Sequence, residues 1–299
     1  MLMSKLLRAS ALILSVSTLA ACSGGGGGGT DLKVEPANCE ISGKSFGIVG
    51  GEVLNSGNEL SASTVMVIHV NYKDEASICT GTLIDDDKVL TAAHCISPFG
   101  GKSVIAFSNN IDCAAKAKNR TLRPVLKGIA HRDYSYSTKT LDNASYDLAI
   151  LKFSGGIPAG YKVRALPAKD FAPVASDTVV MSGYGNTSEK AEDSGTLRFT
   201  TATASRLMKD FYLALVGKTI SVKDTWILEQ YNNGVCTGDS GGPLYVDTGK
   251  GELTLIGVTS MGVDNRAKDE NNVRTCHGVS LFTDLRPHLD WINEKKNSL

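Results

Sequence analysis

Short apolar runs alternate with polar, turn-forming stretches along most of this chain. Val65-Met66-Val67-Ile68-His69-Val70 reads as a strand, and further β runs fall at Thr82 to Ile84, Lys88 to Thr91, Leu148 to Phe153, Thr178 to Met181 and Leu253 to Val258. Glycine, asparagine and aspartate punctuate them, which predicts an all-β barrel or sandwich rather than βαβ units. A helical period emerges only near the end. Leu285, His288, Leu289 and Ile292 share one face, Asp284 stands at the N-cap position and Pro287 fits the first turn, so residues 284–296 are expected to be helical. A second helix is expected within residues 205–231, around Phe211 to Leu215. No internal repeat interrupts this pattern.

The segment before residue 48 has another character. Lys5 and Arg8 precede an apolar run, Ala9 to Leu19, too short to span a bilayer as a mature helix but suited to an export signal. It ends in Leu19-Ala20-Ala21-Cys22, which resembles a bacterial lipoprotein cleavage box. Residues 1–21 then read as a signal peptide and Cys22 as a lipidated N-terminus attached to a membrane. An ordinary signal peptide with Cys22 as a stray thiol is the alternative. Setting Cys22 aside leaves an even number of the seven cysteines to pair. Residues 22–47 form a tether, mostly glycine at first, and a propeptide. The expected location is the bacterial envelope, facing the periplasm or the cell surface, or the medium.

Cysteines spread without a CxxC pair fit an oxidising compartment better than a zinc site. The 31 lysines and arginines balance 31 aspartates and glutamates, so nothing points to a nucleic-acid partner.

Candidate chemistry gathers at Cys236-Thr237-Gly238-Asp239-Ser240-Gly241-Gly242-Pro243. A serine between glycines on a tight turn holds its hydroxyl where a carbonyl can reach it, because glycine tolerates positive φ and close backbone approach. The amides of Gly238 and Ser240 can then aim at one point, as an oxyanion requires. A serine hydroxyl needs a base, and the base needs an orienting group. Candidates lie upstream: His94 in Thr91-Ala92-Ala93-His94-Cys95, and Asp147 in Tyr146-Asp147-Leu148-Ala149-Ile150-Leu151.

With these three motifs in this order, the chain resembles a trypsin/chymotrypsin-type serine endopeptidase over residues 48–293. The resemblance implies two six-stranded antiparallel Greek-key barrels, about 48–160 and 161–283, followed by the helix at 284–296 in one peptidase domain, 48–299. The active site would lie between the barrels, with a His94, Asp147 and Ser240 triad. It also implies activation by cleavage before Ile48, whose new ammonium would pair with Asp239. Gly47 precedes Ile48 where the family usually has a basic residue, so another protease or trimming is expected to make that cut.

The family pattern further implies a Cys79–Cys95 bridge beside the histidine. Cys236–Cys276 would tie the nucleophile loop to the opposite pocket wall, and Cys39 and Cys113 are left to pair. The implied specificity pocket is Gly234, Val235, Ser260, Met261, Gly262 and Gly278. Without a carboxylate at position 234, cleavage after aliphatic or aromatic residues is expected, with His277 raising an acidic side chain as a minority choice.

Protein or peptide substrates, a monomer, and no cofactor or metal complete the expectation. Two rival readings are a latent or non-catalytic trypsin-like binding module on the cell surface and a lipase. The lipase elbow needs glycine two residues either side of serine, which is absent here.

Overall fold

Strands of this chain close first on themselves and then across a second sheet. The computed structural model describes residues 48–55, 57–96, 100–117, 121–136, 141–209, 212–215, 218–230, 233–249, 252–264 and 275–299. Cys22 and Cys39, and with them the lipidation and propeptide expectations, lie outside the described residues. The first half contributes β1 (Glu52–Val53), β2 (Thr64–Val70), β3 (Ala76–Asp85), β4 (Lys88–Thr91), β5 (Lys102–Ala106), β6 (Leu122–Ala130) and β7 (Ala149–Phe153). Of these, β2-β3-β4-β7-β6-β5 form a closed barrel. Val65, Val67, Leu83, Leu90, Ile105 and Ile150 are fully buried in its core.

The second half contributes β8 (Thr178–Gly183), β9 (Arg198–Thr203), β10 (Leu207–Lys209), β11 (Tyr212–Leu215), β12 (Lys218–Ser221), β13 (Thr225–Gln230), β14 (Pro243–Asp247), β15 (Leu253–Val263) and β16 (Gly278–Asp284). Here the structure is more open than the closed barrel expected. An eight-stranded sheet runs β1-β9-β8-β14-β15-β16-β13-β10. The two-residue β1 pairs with β9, and the three-residue β10 pairs with β13. These two short strands form the edges of the sheet.

Where a helix is expected around Phe211 to Leu215, the described residues Tyr212–Leu215 are instead strand. Tyr212 pairs with Ser221 and Leu215 with Lys218, so β11 and β12 run antiparallel side by side. A four-residue apolar run fits either period, and pairing with β12 makes it strand. Conversely, α1 (Ile111–Lys116) had no periodic signal; the side chain of Asn110 caps it, accepting from Asp112 N at 2.8 Å.

At the C-terminus a 3₁₀ turn, Arg286–His288, precedes α2 (Leu289–Ser298). Asp284 is engaged by the guanidinium of Arg286 at 2.7 Å and by Lys209 at 3.0 Å. Leu285, His288, Leu289 and Ile292 are all buried. This end of the chain bears on the site. The His131 ring stacks on Tyr146 and meets His288 and Trp291, both at 4.8 Å between centroids, while His131 N donates to Leu148 O at 2.7 Å. The two residues flanking Asp147 are thereby held from the side of α2.

Candidate active site

Three backbone segments meet at the serine turn. Gly238 and Gly241 have φ of +102° and +82°, which glycine adopts freely. A Cβ on Gly241 would lie 2.0 Å from Thr91 Oγ1 and 2.3 Å from Thr80 O, so the turn presses directly on the first barrel. Thr80 grips it twice: its N donates to Ser240 O at 2.8 Å, and its hydroxyl donates to Gly238 O at 3.0 Å. From the second sheet, Gly241 N donates to Thr259 O at 2.7 Å and Thr259 N to Gly242 O at 2.8 Å. Nothing in the sequence marks Thr80 for this role, since its partners lie some 160 positions downstream.

His94 sits in a 3₁₀ turn (Ala93–Cys95) between the end of β4 and a disulfide joining Cys95 to Cys79. Its Nδ1 is 2.7 Å from Asp147 Oδ2, and its backbone N donates to Asp147 Oδ1 at 3.0 Å. Ser260, expected in the pocket wall, donates its hydroxyl to Asp147 Oδ2 at 2.6 Å. Asp147 is 1% exposed, whereas the His94 side chain keeps 35% of its surface open. Burial pulls the His94 pKa down, but the charge of Asp147 and the hydrogen bond to it outweigh this and leave it above the usual histidine value.

Cys95 Sγ lies 3.6 Å from Ser240 O, so the serine turn abuts the residue after His94. A His94 ring nitrogen and the sulfurs of Cys79 and Cys95 lie within 4.8 Å of one another, but those sulfurs are bonded together and offer no thiolate to an ion.

Asp239 is 1% exposed and accepts from Gly185 N at 2.8 Å and Cys236 N at 2.9 Å. A Cβ on Gly183 or Gly185 would come within 2.6 Å of its carboxylate, so glycine is required at both positions. Arg198, 2% exposed, donates to Gly185 O at 3.2 Å and pairs with Asp193 at 3.3 Å. Burial raises the Asp239 pKa to about 7 despite the two amides and Arg198, which act the other way.

Ile48, fully buried against Val179, Trp226 and Val235, has φ of +46°, a strained value for a β-branched residue. A φ exists only while the preceding peptide bond is intact, so a cut before Ile48 releases that strain.

A carboxyl with a native pKa near 7 binds its proton more tightly folded than unfolded. Its contribution to stability is therefore greatest below pH 4 and is lost as pH rises to about 7, by about 4 kcal/mol at most. Measured by chemical denaturation across that window, the uncleaved chain should lose stability relative to Asp239→Asn. Parallel curves for the two would contradict this.

The residues expected to line the pocket have the following surroundings. Gly234 N donates to Val49 O at 3.0 Å, and Val235 is buried in the Ile48 cluster rather than facing an open cavity. Met261 packs beside Val279 and Leu281. Gly278 has φ of +96°, and Cys276 is bonded to Cys236. Glu189 reaches across, accepting from Cys276 N at 2.7 Å and lying 3.4 Å from His277 Nε2. His277 thus faces the carboxylate of Glu189. Cys113, buried at the start of α1, is disulfide-bonded; its expected partner Cys39 is outside the described residues.

Comparisons with known proteins agree with this architecture. Over 220 residues the chain is 28% identical to serine protease SP24D of Anopheles gambiae, covering 71% of this chain and 70% of that one. Over 263 residues it is 29% identical to mouse ovochymase-2, covering 82% of this chain but only 40% of that longer protein. A solved structure, human heparin binding protein, superposes with a TM-score of 0.61 at 18% identity, covering 84% of this chain and 98% of that one, and shows the fold alone. The trypsin family model matches residues 48–292, and the chain therefore belongs to the trypsin family.

Proposed function

We propose that this chain is a serine endopeptidase in which Ser240 is the nucleophile, His94 the base and Asp147 the group that orients it. The observation carrying the reading is the 2.7 Å contact between His94 Nδ1 and Asp147, beside a serine turn clamped by Thr80. Asp147 accepts the Nδ1 proton and so fixes the tautomer that leaves the other ring nitrogen free to take a proton. Ser240 Oγ attacks the scissile carbonyl carbon as its proton passes to His94. The amides of Gly238 and Ser240 receive the resulting oxyanion. His94 then protonates the departing amine, and water, activated by the same ring, releases the acyl group.

The closed barrel and the second sheet make one peptidase domain from residue 48 onward, with the C-terminal helix after them, and the propeptide is removed before Ile48 so that the new ammonium of Ile48 can meet Asp239. That partner would add a full positive charge beside a carboxylate whose pKa burial now raises to about 7. The pocket, lacking a carboxylate at Gly234, accepts apolar side chains. Cys22 carries a lipid that holds a monomeric enzyme at a bacterial envelope surface, and its partners are protein or peptide substrates.

Purified protein, before and after limited proteolysis, should be treated with a fluorophosphonate probe and offered a peptide library, with its N-terminus sequenced in parallel. Labelling at Ser240 that rises with the species starting at Ile48, and cleavage after apolar residues, is the expected result. A preference for arginine would overturn the pocket assignment, and absence of labelling in every form would overturn the peptidase reading.

A further inference from the structure

Beneath the candidate pocket lies a side chain that no motif announces. A Cβ on Gly234 would lie 2.2 Å from Gln230 Cγ and 2.3 Å from its Nε2. The space into which a floor side chain would project from residue 234 is therefore filled by Gln230. This residue ends β13 opposite Gly278 of β16. Its amide nitrogen donates to Val235 O at 2.8 Å and to Ser280 Oγ at 2.7 Å, while Val235 N donates to the same hydroxyl at 3.3 Å. A buried amide with both N–H donors engaged is a fixed part of the fold, because moving it would strand those groups.

Exposure points the same way. Gln230 and Val235 are 2% exposed and Ser280 is fully buried, whereas a pocket reaching down to Gly234 would open them to solvent. Among the described pocket residues, those open to solvent are Met261, Gly262 and His277, at the upper walls, which are partly exposed.

We propose that Gln230 is a specificity-determining residue whose side chain raises the pocket floor, so that the site takes a small aliphatic side chain, alanine or valine, and rejects aromatic ones. The inference rests on the peptidase reading and narrows it. Seating a phenyl ring would require displacing an amide held by Val235 and Ser280, whereas a methyl or isopropyl group stops above it.

The test uses the full chain and the form starting at Ile48, titrated with a fluorophosphonate to count competent Ser240. Peptide amides differing only in alanine, valine, leucine or phenylalanine before the scissile bond are then compared by kcat/KM. The wild-type enzyme should favour alanine or valine over phenylalanine by about 100-fold. Gln230→Ala, which vacates the floor, should raise the phenylalanine-to-alanine ratio about 10-fold or more. Gln230→Asn, one methylene shorter with the amide kept, should move it in the same direction by less, and serves if the alanine variant does not fold. Labelled enzyme that prefers phenylalanine, or whose ratio is unmoved by either variant, overturns the role of Gln230 and leaves the peptidase reading standing. No labelling in any form overturns both.

Discussion

Ser240→Ala and His94→Ala should each lower kcat on a peptide substrate by on the order of 10⁶, about 8 kcal/mol of transition-state stabilisation. Either change removes the nucleophilic step as a whole, because a hydroxyl without its base and a base without its hydroxyl are equally inert. For the same reason the double variant should be hardly worse than either single one. Folding supplies the control. The grip of Thr80 on this turn uses the carbonyls of Ser240 and Gly238, which Ser240→Ala retains. Its thermal midpoint should therefore stay close to that of the parent, so lost activity cannot be blamed on a lost fold. Retention of more than about one part in a hundred of kcat by either variant, or losses that multiply in the double variant, would remove these residues from the centre of the chemistry.

What could be read from the sequence was whatever local chemistry enforces. The glycines around Ser240 announce a turn because only glycine adopts φ of +102° and +82° there without strain. The strands from Thr64 to Val70 and Lys88 to Thr91 were legible because they are buried almost throughout and carry the β-branched and apolar residues that such positions demand. The antiparallel pair of β11 and β12 was misread because its apolar run is too short to distinguish the two periods. Other groups escaped because their meaning lies in distant partners. Thr80 is an ordinary strand threonine until the serine turn arrives. Gln230 is an ordinary polar strand end until Gly234 and Ser280 fold over it. Arg198 looks like a surface cation, yet it is buried against the loop carrying Gly185 and Asp193. Ser260 was assigned to the pocket wall from the motif around it, and only the fold turns its hydroxyl onto Asp147.

Asp147→Asn should lower kcat by on the order of 10⁴ while leaving the fold intact, the behaviour of the trypsin-type template on which the proposed triad is drawn. The hydrogen-bond inventory around this carboxylate explains why. Two oxygens receive three donors: His94 N on Oδ1, and both Ser260 Oγ and His94 Nδ1 on Oδ2. Asparagine has one oxygen and one NH₂, so one side must now face donors with a donor. The backbone N–H of His94 cannot reverse, whereas the Ser260 hydroxyl can rotate and the imidazole can change tautomer. The amide oxygen therefore turns to the backbone, and its NH₂ faces Ser260 and Nδ1. His94 then carries its proton on the other nitrogen and cannot accept one from Ser240. The pH dependence separates this from a merely structural loss. In the parent, His94 titrates above its ordinary value because Asp147 outweighs burial, and activity rises as pH passes through that pKa and the ring becomes neutral. With the carboxylate gone, only the lowering effect of burial remains, so the acidic limb of the profile should shift to lower pH as kcat falls. A variant that keeps a tenth or more of kcat, or whose acidic limb moves upward, would show that Asp147 does not orient the base.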